Sequence, residues 1–164
     1  MSKNGMVVQP GQEVVWQMEP DRTATFKLLS EQTGDSVAIF EELIPAGFGT
    51  ALHLHHTSDE AMCVLSGDFS FKIGDSVSRG SAGTWAFMPR ETAHAWKNSG
   101  AKAGRALFMF TPADAHSPQR PTGVIAELSE IARAEVGQFM MLPIAPYVLH
   151  RVEVPERRRA NIRA

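Results

Sequence analysis

From residue 13 to residue 111 the chain is a series of short apolar or alternating runs, each closed by turn residues, which is the pattern of β-strands. Residues 13–18 and 23–30 read as the first two strands. Residues 32–35 form a turn in which Gly34 tolerates positive φ. Residues 36–44 make the next strand, stopped by Pro45. Residues 51–55 and 60–65 follow, with a polar turn at 56–59 between them. Residues 68–73 alternate, placing Phe69 and Phe71 on one face and Ser70 and Lys72 on the other. Gly74 and Asp75 are a tight-turn signal. Residues 76–78, 84–88, 94–98 and 105–111 complete the set. About ten short strands at this spacing predict an all-β sandwich or barrel. No helical periodicity appears before residue 121.

The pattern changes after Pro112. Pro118 and Pro121 mark a linker, and Thr122 suits a helix N-cap. Ile125, Leu128, Ile131, Ala132 and Val136 then recur at helical spacing, with Gly137 where a C-terminal cap belongs. A second helix is read around residues 146–152. The chain is therefore organised as residues 1–115, a β-barrel with its N-terminal strands, and residues 116–164, a linker, helical segment and basic tail packed on the same domain.

Composition restricts the class of function. At 43% hydrophobic and 21% charged, 164 residues suffice for one cored domain. A net charge of −2 offers no general attraction to nucleic acid. The four arginines in the last eight residues read as a solvated terminus. The longest apolar run, residues 139–149, is interrupted by Pro143 and Pro146 and is too short for a bilayer. The N-terminal residues lack the apolar run of a secretory signal, and Cys63 is the single cysteine. A cytoplasmic protein without an internal disulfide is expected.

The chemistry lies in residues 47–67, GFGTALHLHHTSDEAMCVLSG. His53 and His55 are two apart, so on an extended strand they share a face. Glu60 joins them if the chain reverses at 56–59 and returns as a neighbouring strand. His94, thirty-four positions after Glu60, is the candidate fourth member. Imidazole nitrogens and one carboxylate around a point suit a divalent transition metal. Alternation also excludes residues. His56 and Cys63 should face away from the site, while Met62 and Val64 face inward with Glu60. His94, Trp96 and Asn98 share a face. The expected ligands are His53, His55, Glu60 and His94, with no thiolate. The bland alternative makes each an ordinary polar residue of a turn-rich barrel, and a lone His-x-His would not displace it.

The full spacing does more. Gly47, His53, His55, Glu60 and Gly67 are separated by five, one, four and six residues. Gly83 is followed after five residues by Pro89, then by His94 and, four positions on, by Asn98. Together these blocks resemble the two signature motifs of the cupin superfamily, and the likeness spans residues 36–112. The look of the chain is similar to small single-domain bacterial cupins of the quercetin-dioxygenase-like kind. In one place it departs: the second motif usually has glycine two residues after the proline, where this chain has Glu91. The turn there is expected to be remodelled, because positive φ costs a residue with a Cβ about 1–2 kcal/mol.

The resemblance implies an antiparallel jelly-roll β-barrel, here with a short C-terminal α-helical segment. It implies one divalent metal (iron, manganese, nickel, cobalt or zinc) held inside by the four residues named, with positions left for a chelating substrate. The pocket expected around it is apolar: Met62, Val64, Phe69, Phe71, Trp96, Phe108 and Phe110. Glu60 is expected to accept a proton from an enol or phenol as the catalytic group. The leading reading is a dioxygenase-type oxidoreductase acting on a small flavonol- or diketone-like substrate. A non-oxidative cyclase or isomerase, and a small-molecule-binding cupin without turnover, stay open. A homodimer is expected, joined through apolar residues of the 6–18 stretch, with no nucleic-acid or membrane partner.

Overall fold

The computed structural model describes residues 5–19, 22–113 and 150–151. The chain runs β1 (Val14–Glu19), β2 (Arg22–Leu28), α1 (Ser30–Thr33), β3 (Ala38–Ile44), β4 (Asp59–Ser66), β5 (Phe69–Ile73), β6 (Ser76–Gly80), β7 (Trp85–Met88), β8 (His94–Asn98), β9 (Gly104–Thr111) and β10 (His150–Arg151). The strands form a seven-stranded sheet, order β10-β1-β2-β3-β9-β4-β7, and a three-stranded sheet, order β6-β5-β8. All pairings are antiparallel. This is the all-β architecture expected from the alternation, in the antiparallel jelly-roll arrangement that the resemblance implies.

Strand pairing aligns the inward residues in rows across the large sheet. Glu60 stands opposite Phe110, and Phe110 opposite Ala38. The next row is Met62, Phe108 and Phe40, and the one after is Val64, Ala106 and Glu42. From the small sheet Phe69, Phe71 and Trp96 pack against these rows, closing one buried apolar cluster. Each fully buried phenylalanine contributes roughly 1.5–3 kcal/mol from the area withdrawn from water. The cluster thus holds the two sheets together beneath the row that carries Glu60.

Residues 47–55 lie along the free edge of β8, but they are not a regular strand. Gly49 bridges Lys97 and His53 bridges His94. The two bridges differ by one residue in register, so a bulge intervenes. At the bulge the Thr50 hydroxyl, rather than a backbone carbonyl, accepts the Trp96 N–H. The strand expected over residues 51–55 is therefore a single bridging position, with exchanged His53–His94 backbone bonds of 3.0 and 2.7 Å. Gly49 has to be glycine: a Cβ there would run into the Trp96 carbonyl and the Lys97 backbone.

Two smaller expectations also shift. The turn at 32–35 is preceded by one helical turn, α1, ended by Gly34 at φ 63 and Asp35 at φ 60. His150 and Arg151, placed in a second helix by the sequence, instead pair with Gln17 and Trp16 of β1. The linker, the helix expected over 122–137 and the basic tail lie outside the described residues. No helix among the described residues is long and apolar enough to cross a membrane.

Candidate metal centre

Each member of the expected quartet is buried: His53, His55, Glu60 and His94. The edge segment supplies His53 and His55, β4 supplies Glu60 and β8 supplies His94. One ligand atom from each lies within 4.8 Å of all the others. Imidazole ring centroids are 4.5 Å apart for His53–His94, 5.0 Å for His53–His55 and 5.3 Å for His55–His94. Glu60 Oε2 lies 3.1 Å from His55 Nε2 and 3.3 Å from His94 Nε2.

Two tautomers are fixed by the backbone. His53 Nδ1 is 2.9 Å from the Ala51 carbonyl, and His94 Nδ1 is 2.8 Å from the Thr92 carbonyl. A carbonyl only accepts, so both Nδ1 atoms carry hydrogen, and Nε2 is the nitrogen each ring can offer to a Lewis acid, His94 once the proton it shares with Glu60 is displaced. The donor set of three imidazoles and one carboxylate, buried and converging, fits a divalent transition metal. His56 and Cys63 take no part, as alternation required. His56 is turned outward to Glu91, 2.9 Å away.

The electrostatics follow from burial and proximity. Desolvation pushes His53 down to about 4, only partly countered by the Glu60 charge. Desolvation would raise Glu60, but hydrogen bonds with His55 and His94 hold it well below the usual carboxylate range. Desolvation also opposes charge on His94, and its bond to Glu60 outweighs that and raises it.

A pH effect on the metal-free protein follows. Between about 4 and 6.5 unfolded His53 binds a proton that folded His53 refuses, so stability falls on acidification through that window. His94 does not mask this, because a raised folded pKa gives a contribution complete below 6.5 and lost only as pH rises further. Chelator-treated protein should lose about 1 kcal/mol per pH unit near pH 5 from this one group. Denaturant midpoints measured from pH 6.5 to 4.5 should show the slope, and His53→Gln should flatten it. Equal slopes in both proteins would refute the account.

The seven residues expected to line a pocket are all buried in one cluster. Phe110 touches the centre, edge-on to His55 at 5.4 Å. Met62 is next along β4 on the inward side of Glu60. Trp96 packs 5.2 Å from Phe108. Phe69 stands opposite Asn98, four residues along β8 from His94, or about 13 Å.

Sequence reasoning missed an aromatic row that leaves the centre in another direction. From Phe110 the rings run to Phe40 at 5.7 Å, Phe26 at 5.1 Å and Trp16 at 5.9 Å. Phe40, Phe26 and Trp16 are only half-buried. The available signal was phase: Phe40 shares a face with Ala38, Glu42 and Ile44. Only strand pairing, however, brings Phe26 beside it.

Glu91 also departs from expectation. The turn is not remodelled; Glu91 takes the left-handed backbone itself, at φ 61. Its N–H donates to the His55 carbonyl at 2.8 Å, and its carboxylate meets His56. Tertiary partners thus offset the local strain that led the sequence reading to expect a remodelled turn.

A family model described as the cupin domain matches residues 39–110. No curated protein matches the sequence. Among solved structures, KdgF from Halomonas sp. is 16% identical with a TM-score of 0.58, covering 66% of this chain and 94% of that one. An RmlC-like cupin from Shewanella frigidimarina is 15% identical with a TM-score of 0.58, covering 70% and 96%. A predicted oxalate decarboxylase from Thermotoga maritima is 18% identical with a TM-score of 0.58, covering 65% and 98%. At these identities the likeness is one of fold.

Proposed function

We propose that this chain, whose residues 39–110 match the cupin-domain model, is a cupin and a metal-dependent enzyme of the dioxygenase type. Its substrate is a small enol or phenol, flavonol- or diketone-like, with a planar apolar body. The observation that carries the reading is the four-donor centre set directly against an aromatic row. A bound iron, manganese, nickel, cobalt or zinc would supply Lewis acidity and, with four protein donors, keep positions for two substrate oxygens.

The chain's own residues account for the rest. His53, His55 and His94 would hold the ion through Nε2, the orientation of His53 and His94 being set by backbone carbonyls. Both hydrogen bonds of Glu60 run through Oε2, which leaves Oε1 to receive the proton of a substrate hydroxyl. Phe110, Phe40 and Phe26 form the wall along which the planar body lies, and they exclude water from it. In the proposal the enzyme is cytoplasmic and works as a homodimer, with the exposed Met6 and Val7 in the contact.

Oxygen uptake by metal-loaded protein, with a panel of flavonols and 1,3-diketones, is the test. Consumption with stoichiometric oxygenated product supports the reading. No uptake by fully metallated protein overturns it. Turnover under nitrogen with the zinc-loaded protein would instead assign the centre to a cyclase or isomerase. A ligand released unchanged after purification would assign it to binding.

A further inference from the structure

Two adjacent residues of one loop grip both sides of the turn that separates His55 from Glu60. Arg90 donates from its backbone N–H and Nε to Asp59 Oδ1, at 2.9 and 3.0 Å, and from Nη2 to Asp59 Oδ2 at 2.9 Å. Asp59 immediately precedes Glu60. Glu91 bonds the His55 carbonyl through its N–H and His56 Nδ1 through Oε1. Three residues on, the same loop becomes β8 with His94, whose Nδ1–H is held by Thr92 of the loop. One short loop thus references three of the four ligands to one another. It does so with Glu91 in a backbone conformation that glycine adopts freely.

We propose that Arg90 and Glu91 form a clasp that positions His55 and Glu60 against His94, and that Glu91 stands in a strained backbone because its side chain is needed to close it. The proposal rests on the metal reading of the centre. Arg90 and Glu91 are positioning residues: they act through the ligands and touch no ion or substrate. The alternative is a plain surface ion pair that stabilises the loop, and such exposed pairs contribute little. The two differ in what each variant does to metal affinity and to apo stability.

The test measures Co2+ affinity by competition with a chromophoric chelator, Co2+ dissociation rate, and the melting temperature of the chelator-treated protein. Glu91→Gly removes the strain and the side-chain half of the clasp, the Oε1 bond to His56, and keeps the backbone bond to the His55 carbonyl. It should leave the apo melting temperature equal or higher while weakening Co2+ binding about tenfold, with faster release. Glu91→Ala keeps the strain and should lose both affinity and apo stability. Glu91→Gln keeps the hydrogen bond without the charge and should bind Co2+ within about threefold of wild type, well short of the tenfold loss typical for removal of an outer-shell partner. Arg90→Ala should weaken binding as Glu91→Gly does, and Arg90→Lys should recover part of it. Wild-type affinity in both Glu91→Gly and Arg90→Ala overturns the clasp and leaves the metal centre standing. Affinity losses that merely track apo stability across the series also overturn it. A wild-type protein that binds no Co2+ overturns both readings.

Discussion

His94→Ala should purify with almost no divalent metal, and His53→Ala with little more. Removing an outer-shell partner already weakens a metal site 10–100-fold, so loss of a direct ligand should exceed roughly 100-fold. His94 is the more damaging of the two. It is fully buried, it shares Glu60 Oε2 with His55, and its backbone exchanges hydrogen bonds with His53. Truncation therefore deletes one donor and removes a partner that seats Glu60, while the backbone bonds to His53 remain. Elemental analysis of protein expressed in metal-supplemented medium measures the outcome, with far-ultraviolet dichroism to show that the variants fold. His56→Ala is the matched control: it lies beside His55 in sequence yet faces outward, so it should keep far more of its metal. Equal metal in wild type, His53→Ala and His94→Ala would remove the centre from consideration.

That control shows what was legible beforehand. The distinction between His55 and His56 needs only the two-residue period of an extended chain, and the structure keeps it although the surrounding strand is broken by a bulge. Glu60 and His94 were legible through their spacing, and Cys63 was excluded by its phase on β4. The bulge itself was not legible. It arises where Thr50 substitutes a side-chain acceptor for a backbone one, a choice made between two strands. Glu91 was misjudged for a related reason. Its conformational cost is local and visible in sequence, whereas the partners that offset it, the His55 carbonyl and His56, sit thirty-five or so positions away. Local signals identified the donors; non-local pairing determined what holds them.

The second large effect concerns such a non-local pair. Glu42→Leu should destabilise the protein by about 3–5 kcal/mol, a large part of the roughly 5–15 kcal/mol available to a domain of this kind. Glu42 is in phase with Ala38, Phe40 and Ile44, so alternation points a carboxylate into the apolar interior. The structure answers it with Arg22 of the neighbouring strand, whose Nε and Nη2 reach both carboxylate oxygens at 2.9–3.1 Å, both side chains being buried. The guanidinium also lies 4.5 Å over the Phe48 ring, in the segment that continues to His53. Leucine strips the buried Arg22 of that carboxylate while adding apolar volume of similar size, so the loss measured is chiefly that of an uncompensated charge. Arg22→Met combined with Glu42→Leu removes both charges and should recover most of the stability in urea denaturation. If the double variant is as unstable as Glu42→Leu alone, the pair is itself a net source of stability. The cost then lies in losing its bonds to the chain and its contact with Phe48, and burial of a lone charge is not the cause.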